Sequence, residues 1–111
     1  MITNIHNCKT ERKPGTPNHV YVGRQMRDIP TSPLGNPWKI GQDGDRTNVL
    51  QLYKRDLWNA LNDKPSRLGP AAKTELHRLA AIPDLHLWCW CAPEPCHAQI
   101  IAAAIAWLKS N

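Results

Sequence analysis

The sequence predicts a small α/β domain: a sheet of about three strands flanked by helices. Three observations lead there. Short β-prone runs open the chain, two stretches of helical periodicity follow, and residues 85–108 read as a strand, a stiff turn and a helix, giving the order β-β-α-α-β-α. A length of 111 residues allows one hydrophobic core and no second one. The division expected is an N-terminal strand and loop over 1–18 and the α/β body over 19–111, one domain overall.

Ile2 to His6 alternates weakly and predicts a first strand. Thr10 to Asn18, containing Lys13-Pro14-Gly15-Thr16-Pro17, is a loop by composition. His19 to Gly23 is a second β-prone run, with Arg24 emerging at its end. Residues 25–44 have no period; within them Ser32-Pro33-Leu34-Gly35-Asn36-Pro37-Trp38 packs turn-formers around two apolar residues, which predicts an ordered loop pinned by Leu34 and Trp38. Asp45 then suits an N-cap, and Val49, Leu50, Tyr53, Leu57 and Leu61 mark the apolar side of a helix ending before Pro65. Ala72, Leu76, Leu79 and Ala80 mark a shorter helix closed by Pro83.

In the last strand Leu85, Leu87, Cys89 and Cys91 share one face, and His86, Trp88 and Trp90 the other. Apolar residues on both faces predict a strand covered on both sides, most simply by helices. Pro93 and Pro95 cannot donate to a ladder, so the strand should stop near Cys91 and the final helix start near Pro95 or Cys96. Ile100, Ile101, Ala104, Ile105 and Leu108 then recur at helical spacing. The whole amounts to a Rossmann-like fragment, too short for a full doubly wound sheet.

Five Trp and no Phe mean that a few large aromatics fill much of the interior; Trp58, Trp88, Trp90 and Trp107 all read as core. The net charge of +5 admits an anionic partner, although the Lys and Arg residues are scattered. The amino end lacks a signal pattern, and the longest apolar run falls well short of the roughly 20 residues of a membrane span, so a cytoplasmic protein with no membrane partner is expected. In a reducing compartment the four cysteines read as core residues, metal ligands or reactive thiols rather than disulfides.

Three motifs, Tyr21-Val22-Gly23-Arg24, Ser32-Pro33-Leu34-Gly35-Asn36-Pro37-Trp38 and Cys89-Trp90-Cys91-Ala92-Pro93-Glu94-Pro95-Cys96-His97, occur in this order. Together they resemble the bacterial and phage family known as domain of unknown function 4326, over nearly the whole chain from Val20 onward. That resemblance implies a fold but no settled activity. Ala98 stands where the family often has Gly, so residue 98 is not expected to touch a ligand.

The chemistry has three readings. The first is a pocket at the strand ends: Arg24, Ser32, Gly35, Asn36 and Trp38, with Cys96 and His97 at the start of the last helix, would hold a phosphate or carboxylate of a nucleotide-like small molecule. Here Trp38 either lies over a ligand ring or simply anchors the loop. In the second, a cysteine-dependent enzyme acting on a nucleotide or nucleic-acid-derived substrate, Cys96 is the nucleophile, helped by the helix amino end. Its base would be His97, or His6 or His19, since neighbours on a helix point about 100° apart. The third is a nucleic-acid or protein interaction module with a zinc held by Cys89, Cys91, Cys96 and His97, where Cys8 or His6 could replace one ligand. No cofactor is favoured, and zinc is the alternative. His77 and His86 have no partner in local spacing and read as solvated or as satisfied polar residues rather than ligands.

Overall fold

The structure is a computed structural model that describes residues 4–8, 11–23, 31–90 and 97–110. Its elements are β1 (Asn4–Asn7), β2 (His19–Tyr21), α1 (Arg46–Leu61), α2 (Gly69–Ala80), β3 (His86–Cys89) and α3 (His97–Ser110), in the expected order. The three strands form one parallel sheet with β3 in the centre, flanked by β1 and β2. Ile5 pairs with Leu87 and His6 with Trp88 on one side; Val20 pairs with Leu87 and Tyr21 with Trp88 on the other. A parallel pair cannot be joined by a tight turn, and here α1 and α2 supply the crossover from β2 to β3.

Local chemistry sets the helix ends. The Asp45 carboxylate accepts from the Asn48 amide at 2.8 Å, fixing the start of α1. Asn62 closes that helix, its side-chain amide donating to the Trp58 carbonyl at 2.8 Å. The Ser66 hydroxyl accepts from the amides of Leu68 and Gly69 ahead of α2. Gly69 has a φ of 69°, a left-handed conformation that lets the chain turn into Pro70 at the head of the helix. Residues 91–96, which precede α3, lie outside the described residues, so the role expected for Pro93 and Pro95 does too.

One face of the sheet carries the core. Leu87, Cys89 and Val22 pack with Tyr53, Leu57, Leu76, Leu79, Ile101 and Ile105 of the three helices, and Ala98 is sealed among them. The other face is different. Trp88 is 2% exposed, so β3 is covered on both sides as expected, yet Trp88 and Tyr21 lie outside that helix-packed cluster. Side chains of the sheet itself supply the second cover: His6 stacks on Trp88 at 4.6 Å between ring centroids, and His19 tilts against it at 6.0 Å. The tryptophans need a further correction. Trp58 is partly buried and packs against the core as expected, but Trp107, which meets it edge to face at 5.3 Å, is 46% exposed. Trp107 sits six residues beyond Ile101, roughly 120° around the helix at 100° per residue, and so misses the apolar stripe.

Removing the α1 cap by Asp45→Ala should lower stability by about 1 kcal/mol in chemical denaturation, while Asp45→Asn should leave it nearly unchanged.

Candidate functional site at the strand carboxyl ends

In a parallel sheet all carboxyl ends point one way, and α3 begins at that same end, after β3. Four segments are tied together there by a closed circuit of contacts. The imidazole of His97, the first residue of α3 and 8% exposed, donates from Nε2 to the Val22 carbonyl just past β2, at 2.6 Å. His97 meets the ring of Tyr53 on α1 edge-on, at 5.2 Å. The Tyr53 hydroxyl donates to the Leu34 carbonyl in the loop at 2.7 Å. That loop returns to the strand exit through the Ser32 amide, which donates to the Gly23 carbonyl at 3.0 Å. Since Val22 and Gly23 are neighbours, the circuit closes.

The loop owes its shape to its turn residues. The Ser32 hydroxyl accepts from the Leu34 amide at 3.0 Å, and the Asn36 side-chain oxygen accepts from the Trp38 amide at 2.9 Å. Gly35 lies against the strand exit: a Cβ on it would stand 3.0 Å from the Gly23 carbonyl oxygen, tighter than side chains normally accept. The bare backbone here is therefore a condition for docking the loop on β2. The Ser32 and Asn36 side-chain oxygens are engaged in the turns of the loop, and His97 Nε2 in the contact to the Val22 carbonyl.

Trp38 stands to one side. Its indole N–H donates to Asp56 at 2.7 Å, and the Arg67 guanidinium lies 4.4 Å from the ring centroid. Of its two expected roles, this geometry provides the anchor. Asp56 is 3% exposed and also meets Arg55 at 3.4 Å, so the buried carboxylate is matched by an indole and a guanidinium.

Arg24, Cys91 and Cys96 lie outside the described residues; in the chain, Arg24 follows Gly23 and Cys96 precedes His97. Cys89 is buried, its thiol 3.7 Å from the His6 carbonyl. Contrary to expectation, Cys8 is fixed nearby, donating its amide to the Cys89 carbonyl at 2.9 Å. Burial first, then Cys89, raises the Cys8 thiol above its ordinary range, while Lys13 partly offsets the shift. Cys8 is thus held as a thiol and not as a reactive thiolate. Among the described residues, no group of three or more His, Cys, Asp or Glu side chains is disposed to hold a metal ion; the zinc set of Cys89, Cys91, Cys96 and His97 needs two residues beyond them.

Sequence reasoning missed Tyr53 and Asp56 as parts of this frame. A signal was present: a phenol and a carboxylate three residues apart on the buried side of α1 must each find a polar partner. Of the two roles expected for His86 the structure shows the satisfied polar one: it meets His6, 80 residues away in the chain, at 2.8 Å.

In comparisons with known proteins, the family described as domain of unknown function (DUF4326) matches residues 4–107. No curated protein and no solved structure matches the chain. Among the described residues, no helix is long and apolar enough to cross a membrane.

Tyr53→Phe should lower stability by about 1–3 kcal/mol in denaturant titrations, because it leaves the buried Leu34 carbonyl without its donor. It should also loosen the Ser32–Asn36 loop, read as faster amide exchange at Leu34 and Gly35.

Proposed function

The chain belongs to the domain-of-unknown-function family DUF4326, and we propose that it binds a small anionic, phosphate-bearing ligand of nucleotide-like type at the carboxyl end of its sheet. One observation carries this reading: the circuit through Val22, His97, Tyr53, Leu34, Ser32 and Gly23, which fixes a strand exit, a Gly-containing loop and a helix start around one point. Open parallel sheets bind ligands outside their strand carboxyl ends, where backbone is exposed and helix N-termini point. The α3 dipole and the net charge of +5 both favour an anion.

The residues take distinct roles. Arg24, next to Gly23 in the chain, supplies the charge-assisted contact to the anion. Gly35 keeps the loop backbone close to the strand exit, where its polar groups can face the ligand. Ser32, Asn36 and His97 are positioning residues, since their polar atoms already serve turns and the Val22 carbonyl. Trp38 flanks the site as the anchor of the loop on α1. Cys96, immediately before His97, would be the nucleophile if ligand binding leads to reaction.

The test is isothermal titration calorimetry of the full chain with adenosine 5′-monophosphate, inorganic phosphate and adenosine. The two phosphate-bearing probes should bind and adenosine should not. Arg24→Gln should weaken phosphate binding about 10- to 100-fold at unchanged melting temperature, the loss of one hydrogen bond to a charged group. Equal affinity for adenosine and its monophosphate, or no binding of either phosphate probe at millimolar concentration, would sink the proposal. One zinc per chain in elemental analysis, lost in Cys96→Ser, would replace it with a metal site.

A further inference from the structure

We propose that Trp38, Arg55 and Arg67 form a contact site for single-stranded nucleic acid: the two guanidiniums grip its phosphates, and the outer face of Arg67 carries a base. The three residues come from the loop, from α1 and from the turn ahead of α2. The Arg67 guanidinium carbon stands 4.4 Å over the Trp38 ring centre, and that of Arg55 stands 5.9 Å from it. The indole itself is held still, because its N–H donates to the buried Asp56 carboxylate at 2.7 Å. The proposal does not rest on the pocket at the strand carboxyl ends.

Charge decides what this group lacks. Two like charges beside one indole repel each other, and among the described residues Asp56 is the one carboxylate in contact with either of them. It meets Arg55 at 3.4 Å, longer than the roughly 2.7–2.9 Å of a close charge-assisted hydrogen bond, while its other oxygen takes the indole N–H. Arg67 has the Trp38 ring and no hydrogen bond or ion pair among the described residues. One positive charge is therefore unmatched, and most guanidinium N–H groups are open to an outside acceptor. Both side chains are exposed to receive one.

The surroundings add positive charge and few competing acceptors. Asp56 is the only acidic residue of α1, and the same helix exposes Lys54 next to Arg55. Asp43 and Asp45 accept from the backbone amides of Lys39 and Asn48, and Asp63 is taken by Lys73 at 2.8 Å. Lys39, next to Trp38 in the chain, and Lys64, three residues before Arg67, are exposed and have no carboxylate partner among the described residues. A chain of phosphates matches such a surface, because every contact it makes releases a counterion.

The stacked guanidinium selects a single strand over other anions. Lying on an indole, it presents its N–H edge to phosphate oxygens in a two-pronged fit and its second face to an unpaired base. A lone phosphate uses the edge alone, in competition with water. An acidic peptide has no base to lay on the guanidinium, and a duplex keeps its bases stacked inside.

The test is fluorescence anisotropy of a labelled oligodeoxythymidine titrated with the full chain at several salt concentrations. Arg55→Gln and Arg67→Gln should each reduce the logarithmic salt slope by about 0.7, and the affinity at about 0.1 M salt by about 5-fold. Lys13→Gln removes the same charge beside the imidazole face of the sheet and should change neither. An abasic strand of equal length should bind about 10-fold more weakly. Both arginine variants should melt like the unaltered chain and bind adenosine 5′-monophosphate as it does, which separates this site from the strand-end pocket. The proposal fails if the oligonucleotide does not bind, if Lys13→Gln weakens binding as much as Arg67→Gln, or if the abasic strand binds equally well. It fails too if polyglutamate at equal charge displaces the labelled strand as well as unlabelled oligonucleotide does.

Discussion

The bond from the His97 imidazole to the Val22 carbonyl is the constraint on which the rest of the arrangement hangs. Strand β2 has three residues and sits at an edge, so its own ladder holds it weakly. By donating to the first carbonyl past that strand, the first residue of α3 joins the end of the chain to its beginning. Tyr53 then links the same imidazole, through ring contact and its hydroxyl, to the Ser32–Asn36 loop. A buried polar group is costly unless paired, and this circuit pairs each of its members with another; among the described residues every buried side-chain nitrogen and oxygen has a partner. The result is a polar frame at the edge of an apolar core, where specificity of position matters more than net stabilisation.

Strand β3 divides the molecule into two kinds of packing. Through Leu87 and Cys89 it meets three helices in a dry core made mainly of leucine, isoleucine and alanine. Through His86 and Trp88 it meets imidazoles from both neighbouring strands. The first face answers to volume and shape alone. The second depends on hydrogen-bond direction between the rings, so the same strand answers to packing on one side and to polar pairing on the other. A small sheet that lacks a described helix on its second face solves the burial of a tryptophan by stacking flat polar rings on it.

The order of elements, the cap at Asp45 and the apolar stripes of α1, α2 and α3 were legible in the sequence because they depend on neighbours within a few residues. The turn character of the Ser32–Asn36 loop was legible for the same reason, and both side chains behave as turn chemistry dictates. Tyr53 and Asp56 went unnoticed because helical periodicity reads only the side a residue faces, not the partner its polar tip will find.

What the sequence by itself determined is what is encoded at short range: three strands, three helices, the cap at Asp45, the Ser32–Asn36 turns, and a last strand flanked by apolar positions on both faces. What the tertiary structure alone decided is register and partnership. His6, His19 and His86 are each unremarkable in local context, and they become one layer only because β1 and β2 align with β3 at the pairs His6 with Trp88 and His19 with His86. A slip of one residue in either strand would turn its imidazole toward the helices and dissolve that layer, since side chains alternate with a period of two. Contacts spanning 75 to 80 residues, such as His97 to Val22 and His86 to His6, leave no trace in local pattern because chain packing, not chain sequence spacing, brings them together.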